Sequence, residues 1–104
     1  MKLKKIDNII LFGGTYIILN IIYYLKSKNY KNYLFTSPKM LRQKINSKGT
    51  LKQNLKILDV NYFTEENINK SKKLIKLIKR NSLGIVFGKP WKFDNKIIKK
   101  FNSN

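Results

Sequence analysis

The sequence predicts an α/β fold, a parallel sheet of about four strands with helices on both faces. Three observations carry this expectation. Apolar runs of strand length alternate with helical segments four times, a glycine pair interrupts the longest apolar stretch, and glycine, proline or capping residues mark most of the joints. A chain of 104 residues has room for one domain, residues 1–104, with a modest core.

The elements follow in order. Residues 6–12 form an apolar run expected to be a buried strand, Gly13-Gly14 a turn, and residues 16–28 a helix. Ile17, Ile18, Ile21, Ile22 and Leu25 recur on it at helical spacing. A second strand is expected at 32–35, stopped by Thr36-Ser37-Pro38, then a short helix at 39–45 and a loop at 46–49. Thr50-Leu51-Lys52-Gln53 has the capping-box form and opens a helix with Leu51, Leu55 and Leu58 inward. A third strand is expected at 60–63. After Ser71 comes an amphipathic helix with Leu74, Ile75, Leu77 and Ile78 inward, then a fourth strand at 82–87. Asp94 is placed to cap a last helix carrying Ile97, Ile98 and Phe101. Such alternation implies right-handed crossovers, a Rossmann-like arrangement.

The run from Ile9 to Leu25 has no charge and reaches the lower length limit of a membrane span, so a single-pass membrane protein is the rival reading of 9–25. Gly13-Gly14 and Asn20 divide that run, which favours strand, turn and helix; a membrane partner is not expected. The formal charge of +18 raises a second rival, a small basic nucleic-acid- or polyanion-binding protein. Against it, the 23 basic residues include only two arginines, Arg42 and Arg80, and the lysines are spread along the whole chain. Nucleic acid is therefore not an expected partner.

The sequence contains no histidine and no cysteine, which excludes imidazole bases, thiolate nucleophiles, disulfides and the usual zinc sites. The five acids, Asp7, Asp59, Glu65, Glu66 and Asp94, form no carboxylate dyad legible in their spacing. No catalytic residue and no metal ligand is expected.

Ligands of open parallel sheets bind beyond the carboxyl ends of the strands. Gly13-Gly14-Thr15 is a glycine turn opening a helix, either a tight turn or an anion cradle. It lacks the third glycine of a dinucleotide fingerprint and the lysine of a P-loop. The segment Phe87-Gly88-Lys89-Pro90-Trp91 sets the only tryptophan beside backbone-stiffening residues. It serves equally as a wall for a flat heteroaromatic ligand or as a plug for the end of the sheet.

Phe12-Gly13-Gly14-Thr15, Thr36-Ser37-Pro38 and Leu83-Gly84-Ile85-Val86-Phe87-Gly88-Lys89-Pro90-Trp91 together resemble the start of the formyltransferase family. That family includes methionyl-tRNA, glycinamide ribonucleotide and sugar N-formyltransferases. The resemblance covers nearly the whole chain through short motifs. It implies an incomplete half of a formyltransferase domain, in which Phe87, Gly88, Lys89, Pro90 and Trp91 line the pocket for 10-formyltetrahydrofolate and Gly13, Gly14 and Thr15 lie near the acceptor amine. Family catalysis uses an Asn-x-His segment on the next strand and a later Asp, and this sequence supplies neither. On this resemblance the chain is expected to be a cytoplasmic, truncated N-terminal fragment, inactive alone. It would be completed by a companion chain or self-associate through an open sheet edge.

Overall fold

The computed structural model describes residues 8–79, 81–88 and 91–102. Its central sheet has four strands, β1 (Asn8–Gly13), β2 (Asn32–Thr36), β5 (Tyr62–Thr64) and β6 (Ser82–Phe87), in the order β5-β2-β1-β6. All three pairings are parallel. The order along the sheet is thus third, second, first, fourth in sequence. The chain lays its first three central strands in one direction and then returns past β1, so the order reverses between β1 and β6.

β1 is buried throughout because both faces of the sheet are covered there. On one face Ile9 and Leu11 pack with Leu34 of β2, with Ile18, Ile22 and Leu25 of α1 (Tyr16–Ser27) and with Leu51 and Leu55 of α3 (Leu51–Ile57). On the other, Ile10, Phe12 and Phe35 meet Ile68 from a 3₁₀ turn (Ile68–Lys70), Leu74 of α4 (Lys72–Leu77), Ile78, and Ile97 of α5 (Asn95–Asn102). Alternate residues of one strand therefore supply both cores, as the two-residue period of a strand requires. Asn8 fastens the start of β1: its buried amide donates to the Leu77 carbonyl at 2.8 Å and accepts from the Ser82 hydroxyl.

The expected division of the apolar stretch at Gly13-Gly14 is present. β1 ends at Gly13 and α1 begins at Tyr16, and no helix among the described residues is long and apolar enough to cross a membrane. The fourth strand lies where the sequence predicts it, and the Thr50–Gln53 capping box forms in both directions. The expected strand at 60–63 is observed at Tyr62–Thr64, and the first two residues of the expected strand 6–12 lie outside the described residues.

Several expectations are corrected. The expected helix at 39–45 is a single turn, α2 (Pro38–Leu41), opened by Ser37, whose hydroxyl accepts from the Met40 amide at 3.1 Å. The chain then turns into an antiparallel hairpin of β3 (Lys44–Asn46) and β4 (Gly49–Thr50), where a loop was expected. Its reason is a side-chain lock: Asn46 and Asn54 exchange reciprocal amide bonds of 2.9 and 3.0 Å, which ties β3 to α3. Asn54 is accordingly buried, while Leu58 is only half-buried. Ile17, Ile75 and Ile98, expected inward, are exposed. Each neighbours the true inward stripe, and the helices present a narrower face to the sheet than the apolar positions offer.

Candidate functional site

The rule for open parallel sheets puts the candidate ligand crevice at the carboxyl ends of β1, β2 and β6, where the strand order reverses. Gly13 pairs with Phe87 in the β1–β6 ladder, so the two loops singled out in the sequence leave the sheet side by side. Gly13 adopts φ +125°, and a side chain there would bring its Cβ within 1.9 Å of the Phe87 carbonyl oxygen. That backbone approach requires glycine.

Gly14 has a different reason. A Cβ on it would meet Leu51 Cδ2 at 2.7 Å, Met40 Cβ at 3.0 Å and Thr36 Oγ1 at 3.1 Å. The turn is therefore pressed onto α2, α3 and the end of β2. Thr15 is the N-cap residue of α1, in extended conformation, and its side chain makes no capping bond. The amides of the first turn of α1 thus receive no hydroxyl from the cap.

Gly88, at φ +76°, is exposed, and a Cβ on it would lie 3.7 Å from both Thr15 Cγ2 and Met40 Cε. Thr15, Met40 and Gly88 consequently form one wall. Phe87 is half-buried and packs on the α1 and α3 side of the sheet. Lys89 and Pro90 lie outside the described residues.

Trp91 is half-buried on the opposite face. Its indole Nε1 donates to the Glu65 carbonyl at 3.1 Å, and its ring stands edge-on to Phe12 and Phe93 at 6.5 and 6.3 Å. Phe12 is the hub of this aromatic group, with Phe93 at 5.0 Å, Phe35 at 5.9 Å and Phe101 at 6.2 Å. The backbone of the loop reaches the crevice at Gly88, while Trp91 and Phe93 close the aromatic core below it.

The sequence reading missed Thr36 and Met40 as neighbours of the turn. Thr36 Oγ1 is the one buried side-chain polar atom among the described residues without a hydrogen-bond partner. Its strand end is legible in Thr36-Ser37-Pro38; its approach to Gly14 depends on the β1–β2 register, which no local signal encodes.

The loops meeting here offer backbone amides and small side chains, and the chain has no imidazole or thiol. Among the described residues no three acidic, histidine or cysteine side chains gather to hold a metal. Comparison with protein-family models, with curated proteins and with solved structures finds no match to this chain.

Proposed function

We propose that this chain is a formyltransferase-like ligand-binding unit. It holds 10-formyltetrahydrofolate at the loop after β6 around Gly88, with Trp91 closing the core beneath it rather than touching the ligand, receives an amine-bearing acceptor at Gly13, Gly14 and Thr15, and does not turn over alone. The observation that carries the reading is the Gly13–Phe87 pairing, which sets both loops beside one crevice at the reversal of strand order. The family motifs fall on those same loops. Without histidine the unit lacks the imidazole that the family uses to relay the proton released when an amine attacks a formyl carbon, and a second polypeptide segment would supply it.

The sheet edge supports the need for completion. Among the described residues β6 pairs only with β1, and a groove of about 540 Å³ opens between β6 and α5, lined by Phe12, Leu83, Val86, Phe93, Ile97 and Phe101. A strand added to β6 would cover that groove. A companion segment fits this role better than a second copy, because pairing two copies would bring two charges of +18 together. A cytoplasmic setting fits the folate chemistry.

Isothermal titration with 5-formyltetrahydrofolate, a stable stand-in, tests the reading. Saturable binding is expected, with no formyl transfer to any amine by the chain alone. No heat up to about 1 mM ligand, near the weak limit of specific affinity, retires the proposal.

A further inference from the structure

Among the described residues, the outer face of α1 is a second apolar stripe left exposed. Tyr16, Ile17, Tyr23 and Tyr24 are 59, 45, 68 and 53% exposed, although the helix already buries Ile18, Ile22 and Leu25 on its inner face. A helix that is apolar all round is normally covered. The charge along these elements is mostly positive. Residues 8–58 contain eight lysines and Arg42, all exposed, and no aspartate or glutamate; Asp59 follows directly after them.

A cavity of about 210 Å³ opens between α1 and α3, lined by Leu19, Asn20, Tyr23, Asn46, Lys48 and Asn54 among others. Asn20 is exposed and makes no side-chain hydrogen bond among the described residues, while the Asn46–Asn54 pair stiffens the far wall. Lys28 Nζ lies 5.9 Å from the Tyr24 ring centre, and Lys26 Nζ bridges to the Leu58 carbonyl at 3.0 Å.

We propose that this face is a platform for single-stranded nucleic acid. Tyr16, Tyr23 and Tyr24 stack bases, Asn20 meets the edge of a base seated in the cavity, and the exposed lysines of these elements follow the phosphates. Charge complementarity selects a polyanion over a second copy of a chain with charge +18. The amides in the cavity select bases over lipid, since hydrocarbon gives a buried amide no partner. The sequence expectation against nucleic acid rested on the dispersal of the lysines and the scarcity of arginine; what the tertiary structure adds is a stripe of exposed tyrosines, and stacking needs no arginine fork. The proposal does not depend on the folate reading: Asn20, Tyr23 and Tyr24 are not among the residues given to the folate or its acceptor, and only Tyr16 adjoins them, at Thr15.

Fluorescence anisotropy with a labelled oligouridine of about ten nucleotides decides it, with polyglutamate and phosphatidylserine vesicles as rival ligands. The expected result is salt-sensitive binding to the oligonucleotide, weakened roughly fivefold or more by Tyr23→Ser. Tyr23→Phe should bind as the parent does. Neither variant changes the charge, so binding unaffected by Tyr23→Ser, or equal binding to polyglutamate, reduces the interaction to charge alone and overturns the proposal. Absence of oligonucleotide binding also overturns it, as does Tyr23-dependent binding to vesicles only. Should Tyr23→Ser fail to fold by circular dichroism, photocrosslinking of the parent to a 4-thiouridine oligomer gives the same decision. Adducts on residues 16–26 or 44–58 support the platform; adducts confined elsewhere refute it.

Discussion

Replacing Gly13 with alanine tests the arrangement on which the crevice depends. The added Cβ would sit 1.9 Å from the Phe87 oxygen and 2.9 Å from its carbonyl carbon, both backbone atoms that cannot rotate aside. The φ of +125° is itself close to glycine-only, a strain of about 1–3 kcal/mol. Separating the strands there also weakens the last step of the β1–β6 ladder, a further loss of about 1 kcal/mol. The combined expectation is about 2–4 kcal/mol, a large part of the roughly 5–15 kcal/mol typical of a whole domain. Gly88→Ala is the matched comparison. Its φ of +76° carries a strain of about 1–2 kcal/mol, and the new methyl meets nothing closer than 3.7 Å. Urea unfolding followed by the fluorescence of Trp91, the only tryptophan, measures both. Gly13→Ala should cost at least about 1 kcal/mol more than Gly88→Ala. Equal losses, or a milder effect at Gly13, would mean that β1 and β6 do not approach as described, and the crevice reading would fall with them.

Two further outcomes are expected of the same assay. Thr36→Val exchanges a buried, unpartnered hydroxyl for a methyl of similar shape and should raise stability by about 1 kcal/mol; a clear loss would show that the hydroxyl has a partner in the folded chain. Thr50→Ala removes the acceptor of the Gln53 amide, 3.2 Å away, and should lower stability by about 1 kcal/mol, with an unchanged urea midpoint counting against a working cap.

Local signals in the sequence located most elements because they state local physics. The glycine pair ended β1, the Thr50 and Gln53 side chains started α3, and an apolar run bounded by polar residues defined β6. The hairpin of β3 and β4 escaped detection because its cause is a contact between Asn46 and Asn54, eight residues apart and on different elements. Inward and outward positions on the helices were misjudged at Ile17, Ile75 and Ile98 for a related reason. Isoleucine is apolar wherever it stands, and only the direction of the sheet decides which isoleucine it covers.

By itself, then, the sequence determined an α/β chain with alternating strands and helices, and it excluded imidazole and thiol chemistry through composition alone. Strand order was decided only in three dimensions. Laying β6 beside β1 rather than beside β5 brings Phe87 against Gly13, and packing the inner face of α1 on the sheet leaves its Tyr16, Tyr23 and Tyr24 exposed. Both outcomes depend on contacts between residues distant along the chain. Periodicity and local propensity describe what a segment can become, and long-range burial selects which segments meet.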